Sequence, residues 1–269
     1  MIAGGGPLPR HVVEACRTAG RDVFVVALHG ITEPATADGA AHAWVRLGAV
    51  GQMLKVLREA GVADVVMAGP VPRPSLGSLG LDLRGFKLLA GAGAGALGDD
   101  RLLSLIVAEL EGEGFRVVGV DDILAGLVMA AGSLGKFEPD ASALADIAVG
   151  ARAACRLGEL DIGQAVVVQQ GVVLGLEAIE GTDALLVRCG GLRRAGPGGV
   201  LVKLSKPRQE RRADLPAIGV ATVAGATAAG LRGIAVEAGR SLVIDRGAVA
   251  RAADEAGLFV VGIQPDPGR

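Results

Sequence analysis

The first twenty residues, Met1–Gly20, read MIAGGGPLPRHVVEACRTAG and contain the signals of a strand, a turn and a helix. A short apolar run meets three consecutive glycines, and Pro7 and Pro9 follow where a helix would begin. Proline is favoured at that position because its missing N–H would be unpaired anyway. Apolar side chains then recur at helical spacing, which predicts a helix over Leu8–Thr18. A strand joined to a helix in this way is the repeating unit of an α/β fold.

The same alternation continues along the first half of the chain. The runs DVFVVAL, AWVRLG, DVVMAG and FRVVGV are predicted strands, and helices are predicted over 49–60 and 100–113. Strands that alternate with helices form a parallel sheet with helices on its faces. The composition agrees, since 51% apolar residues and 43 glycines indicate an aliphatic core with many tight turns. We therefore predict a Rossmann-like N-terminal α/β domain over residues 1–130.

The second half of the chain is predicted to be another α/β domain. With 269 residues, the chain is long enough for two ordinary domains. The apolar stretch ILAGLVMAAGSL, residues 123–134, is predicted to be a core or interfacial helix that runs into a hinge over 131–140, followed by a domain over 141–269. Within that domain, QAVVVQQGVVLGLEAIEG contains two strands joined by a Gln-Gly turn, and these are predicted to pair as a hairpin.

Charge and cysteine content argue against several classes of protein. A net charge of −2 and 2% aromatic residues do not suit nucleic-acid binding. Cys16, Cys155 and Cys189 are widely separated, which argues against both a disulfide framework and a zinc site. No run reaches the ~18 apolar residues that predict a transmembrane helix. We expect a soluble cytoplasmic protein. Any contact with a membrane is expected to be peripheral, at the inner membrane.

The glycine turn is a candidate phosphate site. Gly4, Gly5 and Gly6 lie between a predicted strand and helix, where glycine allows the backbone to approach a phosphate. The dinucleotide pattern requires Gly-x-Gly-x-x-Gly, however, and Pro7 and Leu8 stand where that pattern would continue. A tight turn with a purely structural role explains the glycines about as well.

A second candidate site is the charged stretch KPRQERRADLPAIG, which begins at Lys206. Arginine forks and lysine point charges bind phosphate, whereas a carboxylate can orient water or hold a divalent cation. Both kinds of group occur here within nine residues, the carboxylate of most interest being Asp214. A solvated surface loop would also show such a pattern, so spacing alone does not decide between the two interpretations.

Two groups of acidic residues allow two interpretations each. Glu177, Glu180 and Asp183 surround a Gly-Thr step, where their oxygens could hold Mg²⁺ or cap the following helix. Asp99 and Asp100 precede RLLSLI and are predicted helix caps, because a carboxylate there accepts backbone N–H bonds; contact with a metal or a ribose is the second interpretation.

Five separated motifs resemble one known family. They are IAGGGPLP at the N-terminus, AGPVPRP at 68–74, GDDRLL at 98–103, DIGQAVVVQQGVVLGLEAIEGTDALL at 161–186 and KPRQERRADLPAIGVAT at 206–222. In this order they resemble the LpxI family, whose members are UDP-2,3-diacylglucosamine pyrophosphatases of lipid A biosynthesis. The resemblance extends over almost the whole chain.

The resemblance implies Mg²⁺-dependent hydrolysis of UDP-2,3-diacylglucosamine to UMP and 2,3-diacylglucosamine 1-phosphate, known as lipid X. It also implies a ligand held between the two domains, and water attack at the phosphate on the sugar side. The residues that it implies are Asp214 for catalysis; Gly4, Gly5, Gly6, Thr182, Lys206, Gln209, Arg211 and Arg212 for substrate and phosphate binding; and Asp214 with Asp183 for the metal.

Two other functions remain as alternatives. A nucleotide-sugar or lipid-binding protein would hold the diphosphate without cleaving it, and an NAD(P)-dependent oxidoreductase would use the glycine turn. The apolar, glycine-rich C-terminal half is compatible with a homodimer and equally with an ordinary core.

Overall fold

The computed structural model describes residues 1–71, 80–92, 99–207 and 209–265. Two compact units are present. The first consists of Met1–Ala125 together with Glu210–Asp214, and the second consists of Gly126–Gln209 together with the residues from Leu215 on. Both units contain a sheet with helices, so the prediction of two α/β domains is confirmed. The side chains of Asp99 and Asp100, and Arg208, lie outside the described part of the chain.

The first unit is built on a five-stranded parallel sheet in the order β3-β2-β1-β4-β5. Its strands are β1 (Ile2–Ala3), β2 (Phe24–Leu28), β3 (Ala41–Val45), β4 (Asp64–Ala68) and β5 (Arg116–Val118). Its helices are α1 (Leu8–Thr18), α2 (Pro34–Ala37), α3 (Val50–Glu59), α4 (Leu83–Ala92), α5 (Asp99–Gly112) and α6 (Val120–Ile123). The predicted parallel sheet with flanking helices is confirmed.

The direction of chain progression across this sheet reverses once. Strands β1 to β3 proceed towards one edge, and the chain then crosses to β4 on the other side of β1. Because parallel crossovers are right-handed, this reversal places helices on both faces. The point of reversal lies between β1 and β4, and ligands of such sheets bind outside the carboxyl ends of the strands there. The glycine turn follows β1 and therefore lies at this point.

The second unit contains a six-stranded mixed sheet in the order β6-β13-β11-β9-β7-β8, and a two-stranded sheet of β10 and β12. Its strands are β6 (Gly132–Leu134), β7 (Ala165–Gln169), β8 (Val172–Leu176), β9 (Val200–Lys203), β10 (Ala217–Ile218), β11 (Gly233–Glu237), β12 (Leu242–Val243) and β13 (Phe259–Ile263). Its helices are α7 (Ala141–Glu159), α8 (Gly181–Gly190), α9 (Val220–Ala228) and α10 (Arg246–Ala256).

Both faces of the six-stranded sheet are covered by apolar side chains. Strands β9, β11 and β13 are parallel, and β7 and β8 form the predicted antiparallel hairpin. Val167, Leu201 and Ile234 face a core that includes residues of α8, α9 and α10. Val166 and Val202 face the other way, towards α7. Because side chains alternate along a strand, this arrangement also determines the face of the sheet towards which each residue at the end of a strand points.

The helix predicted over residues 123–134 is wrong. Helix α6 ends at Ile123, a single 3₁₀ turn spans Ala125–Leu127, and Gly132–Leu134 pair antiparallel with β13. Apolar content predicted neither the type of structure nor the burial, since Met129 is the one buried residue of this stretch and the partner strand of residues 132–134 lies far along the chain. A hinge over 131–140 stays a prediction, although residues 132–134 are part of the sheet. No helix in the described ranges has the length and hydropathy needed to cross a bilayer.

Candidate active site

The glycine turn after β1 is held by its own backbone. The N–H of Gly4 donates to Ala68 O at 2.7 Å, and the N–H of Gly5 donates to Pro70 O at 2.9 Å. A Cβ on Gly4 would lie 2.3 Å from the carbonyl oxygen of Gly69, so only glycine allows this approach. Both N–H groups thus already have carbonyl acceptors, and substrate binding by Gly4 and Gly5 stays a prediction. Close packing against the end of β4 requires glycine at position 4, whereas a Cβ on Gly5 would lie 3.3 Å from Ile31 O.

The start of α1 offers few other donors. Pro7 and Pro9 have no N–H, and the N–H groups of Arg10 and His11 point back to Pro7 O. A role for Gly6, whose φ of +69° also favours glycine, stays a prediction.

Downstream of β9, the chain makes a closed turn at Lys206. The side-chain oxygen of Gln209 accepts the N–H of Lys206 at 3.0 Å, and the N–H of Gln209 donates to Lys206 O at 3.1 Å. Both residues are buried. Gln209 therefore fixes the backbone of this turn, which positions Lys206; its predicted contact with substrate is not tested by this geometry.

Lys206 forms a buried ion pair in the second unit. Its Nζ lies 2.6 Å from Oδ1 of Asp161, and the Lys206 side chain is 8% exposed. Asp161 lies between α7 and β7 with a positive φ of 53°, a conformation that Asp adopts more readily than most residues. The pair holds the ammonium in one place, as a group that binds a phosphate oxygen requires.

The loop Glu210–Asp214 belongs to the first unit, and Arg212 holds it there. Its guanidinium forms two hydrogen bonds with Glu210, from Nε to Oε1 and from Nη2 to Oε2, each of 2.9 Å. Nη1 donates to Glu111 on α5 at 2.5 Å. The hydrogen bonds that Arg212 donates hold the pKa of the Glu210 carboxyl below its usual range, and acceptance of these bonds by Glu210 and Glu111 raises the pKa of Arg212. These contacts favour a role for Arg212 in holding the loop over direct contact with a phosphate.

Asp214 ends this loop. Its N–H donates to Glu210 O at 3.0 Å, and the side chain of Ala213 packs on the apolar core of the first unit. Arg211 lies next to them with its Nη2 3.2 Å from Oδ2 of Asp121, and its side chain is 45% exposed. The structure thus brings Arg211, Arg212 and Asp214 together on one anchored segment, with the Asp214 carboxylate half-buried.

Thr182 and Asp183 lie in the first turn of α8. The hydroxyl of Thr182 donates to Glu177 Oε1 at 2.5 Å, and Glu177 Oε2 accepts the N–H of Gln164 at 2.8 Å. Glu177 is buried, so it ties the end of β8 to the start of α8. Because its proton is committed to Glu177, the Thr182 hydroxyl is not positioned to donate to a phosphate. Asp183 is exposed, and its metal role stays a prediction.

The donor set for Mg²⁺ is sparse. Over the ranges that the structure describes, no three His, Cys, Asp or Glu side chains cluster as metal ligands. Glu210, Glu111 and Asp121 are each engaged by an arginine. Mg²⁺ is commonly bound by one or two carboxylates and completed by substrate phosphates and water. The carboxylates present fit Mg²⁺ in that form, with Asp214 as one ligand, and not as a cage made by the protein alone.

Comparison with known proteins identifies the family. The model of the LpxI N-terminal domain matches residues 1–127, and the model of the LpxI C-terminal domain matches residues 130–261. The chain belongs to the LpxI family. It is 44% identical over 272 residues to the UDP-2,3-diacylglucosamine pyrophosphatase LpxI of Caulobacter vibrioides, an alignment that covers 98% of this chain and 97% of the relative. The resemblance inferred from five motifs is thereby confirmed over both LpxI domains.

Sequence reasoning missed the acidic partners of the three cations Lys206, Arg211 and Arg212. Asp161, Glu111 and Asp121 pair with Lys206, Arg212 and Arg211 across 45, 101 and 90 residues of sequence. The sequence offers one weak signal, since Asp161 begins the DIGQ motif. Only the fold identifies Glu111 and Asp121 as partners, because α5 and α6 flank the segment that carries Arg211 and Arg212.

Proposed function

We propose that the chain hydrolyses the diphosphate of UDP-2,3-diacylglucosamine and releases UMP and 2,3-diacylglucosamine 1-phosphate in lipid A biosynthesis. The observation that carries this proposal is the similarity over both domains to an LpxI whose name states that activity. The anchored carboxylate of Asp214 agrees with it, since hydrolysis requires a group that positions water.

Asp214 is the proposed catalytic residue. Its loop is fixed by the Arg212 ion pairs and by packing of Ala213, so the carboxylate has a limited range of positions. A fixed carboxylate can hold a water molecule or a metal ion in line with a phosphorus atom, which removes much of the entropic cost of the attack. Oxygen from water bonds to the sugar-side phosphorus, the bond from that phosphorus to the bridging oxygen breaks, and UMP leaves.

Lys206 and Arg211 are the proposed phosphate-binding cations. Positive groups that face the phosphoryl oxygens stabilise the charge that develops in the transition state. Lys206 is buried and fixed by Asp161, whereas Arg211 is partly exposed beside Asp121. The Lys206 ammonium is therefore suited to bind a phosphate from a fixed position, and the Arg211 guanidinium to move onto a bound ligand.

Mg²⁺ is the proposed cofactor, with Asp214 as a ligand and Asp183 as a second candidate. When bound, the ion would polarise a phosphoryl oxygen and lower the pKa of a bound water. The carboxylate of Asp214 would supply a negative oxygen to such an ion, and the arginine-engaged acids would stay with their partners.

The oxidoreductase alternative has little support from the site. Dinucleotide-binding folds need glycine N–H groups free for a pyrophosphate and an acidic residue for the ribose. Here the N–H groups of Gly4 and Gly5 are used internally, and His29 follows β2. A binding protein without catalysis remains the second candidate, since the same cations would hold a diphosphate.

The test is to incubate the protein with UDP-2,3-diacylglucosamine in ¹⁸O-labelled water, with Mg²⁺ or with a chelator, and to analyse products by mass spectrometry. We expect UMP and lipid X only with Mg²⁺, and ¹⁸O in the sugar phosphate. Tight binding of intact substrate without product would instead favour the binding protein. Label in UMP would keep the hydrolase but refute attack at the sugar side.

Cytoplasmic location, peripheral contact with the inner membrane and a homodimer are retained as proposals. Sedimentation of the purified protein with and without vesicles tests membrane contact and oligomeric state in one experiment.

A further inference from the structure

Lys203, the last residue of β9, is a buried lysine. The residue is 9% exposed, and its Nζ donates to the carbonyl oxygen of Ala217 at 3.2 Å. Within the described ranges it forms no ion pair. An ammonium removed from water is unfavourable unless an anion or several acceptors compensate for the lost hydration. A single carbonyl compensates only in part, so this position is suited to an anionic ligand.

The sheet defines the face to which Lys203 points. It pairs with Ala165 of β7 and with Val236 of β11, and both of these belong to the core on the side of α8 and α9. Residues paired across strands point to the same face. Lys203 therefore points to that face, at the carboxyl end of β9.

The acidic residue nearest to Lys203 along the line of paired residues across β9, β7 and β8 is Glu177, and its carboxylate already accepts hydrogen bonds. Glu177 follows β8 and donates its N–H to Ala165 O, which places it two strands, or about 10 Å, from Lys203. Its two carboxylate oxygens accept bonds from Thr182 and from Gln164. The small side chain of Ala165 lies between the two along this line of residues.

A second positive group lies close to Lys203. Ala217, which accepts its hydrogen bond, stands two residues before Gly219, the N-cap of the nine-residue helix α9. The first turn of α9 contains no acidic residue. A helix N-terminus carries partial positive charge on its unpaired N–H groups. Lys203 thus contacts the segment that leads into α9, at the carboxyl end of β9, and ligands of α/β sheets bind at the carboxyl ends of the strands.

We propose that Lys203, together with the N-terminus of α9, binds a phosphate group of the substrate or of a product. The ligand class is a phosphate monoester or diphosphate, whose oxygens would accept from Nζ and from backbone N–H groups. The assignment of this phosphate to the nucleotide or to the sugar rests on the proposed function. Anion binding itself does not depend on hydrolysis.

The test compares Lys203→Met, which keeps the length and removes the charge, with Lys55→Met. Lys55 is a surface residue of α3 whose Nζ lies 3.7 Å from Glu59 Oε1. Its substitution also removes one positive charge, at a position far from Lys203 in the sequence. Binding of inorganic phosphate, UMP and glucosamine 1-phosphate is measured by calorimetry, with unfolding by urea measured alongside.

We expect wild type and Lys55→Met to bind at least one of these three probes equally well, and Lys203→Met to bind it at least tenfold more weakly. The stability of Lys203→Met should equal or exceed that of wild type, because an uncompensated buried charge has been removed. The probe whose affinity falls identifies the phosphate: UMP for the nucleotide side, glucosamine 1-phosphate for the sugar side.

Unchanged binding of all three probes by folded Lys203→Met would overturn the proposal, as would failure of wild type to bind any of them. Loss of stability without loss of binding would show that the ammonium is structural. If Lys203→Met does not fold, Lys203→Gln is measured in the same way, and unfolding of both variants would also overturn the proposal. Lys203-dependent binding by a wild type that releases no UMP would refute the proposed function and leave this site standing.

Discussion

Replacement of Arg212 by methionine would distinguish two roles for this residue. Arg212 either holds the loop that carries Asp214, as its contacts with Glu210 and Glu111 indicate, or binds the reacting phosphate directly. Methionine retains most of the aliphatic stem and removes every hydrogen bond of the guanidinium. The size of the activity loss separates the two roles, because the expected losses differ by about one to two orders of magnitude.

The loss expected for a loop anchor follows from the geometry. The Arg212 side chain is 39% exposed, and those of Glu210 and Glu111 are 21% and 44% exposed, so solvent screens both ion pairs. Exposed pairs contribute about 0–1 kcal/mol, with bidentate ones at the upper end. The two together contribute at most about 1.5 kcal/mol, which corresponds to roughly a tenfold loss of kcat/KM. Loss of a direct transition-state donor costs roughly 10²–10³-fold in rate.

The assay is the initial rate of UMP release at several substrate concentrations, with circular dichroism to verify folding. The control is Arg116→Met, since Arg116 makes a bidentate pair with Asp64 in the same unit, at 2.8 and 2.7 Å, away from the loop. We expect a loss of roughly tenfold for Arg212→Met and little change for Arg116→Met. A loss above 10²-fold in a folded variant would refute the anchoring role, and equal rates for both variants would show that the loop does not need Arg212.

Three further outcomes follow from the contacts described above. The pKa of Glu210 is lowered by the neighbouring guanidinium, so its stabilising contribution is complete above the ordinary carboxyl value of 4.5 and is lost as pH falls through the lower folded value. The stability difference between wild type and Glu210→Gln in urea unfolding should therefore be constant near neutrality and shrink at acid pH; a difference that grows at acid pH would contradict this. Asp161→Asn should lower stability by about 1–3 kcal/mol, because the buried Lys206 loses a charged hydrogen bond while Asn tolerates the positive φ; an unchanged urea midpoint would show that the pair contributes little. Gly4→Ala should lower Tm markedly, because the added Cβ would lie 2.3 Å from Gly69 O. Gly112→Ala, in a helix with open space around it, should raise the free energy of unfolding by about 0.5–1 kcal/mol. Thermal unfolding that ranks the two variants in the opposite order would refute the packing argument.

The parts of the fold that sequence predicted correctly are those with local signals. Helix α1 matches its predicted range because its prolines and its apolar spacing lie within eleven residues. The β7–β8 hairpin likewise follows from one turn between two apolar runs. The two-residue strands β10 and β12 and the short helix α2 have no comparable signal, since two to four residues do not establish a period.

The site was predictable in its charged residues but not in their partners. The segment around Asp214 combines cations and carboxylates that chemistry alone connects with phosphate. The acid that each cation contacts lies on a distant element of the chain. Arg212 pairs with Glu111, 101 residues away in sequence, and Lys206 pairs with Asp161, 45 residues away. The glycine turn shows the opposite problem, because close packing and phosphate binding require the same residue type at Gly4.

The central claim is that the carboxylate of Asp214 drives hydrolysis of UDP-2,3-diacylglucosamine. The most direct measurement is kcat of Asp214→Asn at saturating Mg²⁺ and substrate, compared with wild type and with Asp22→Asn, a change at an exposed aspartate. Asparagine keeps the shape and removes the negative charge, so the account predicts a loss of at least 10²-fold in a variant that folds, while Asp22→Asn stays fully active. Turnover of Asp214→Asn close to that of wild type, with the same metal dependence, would contradict the account.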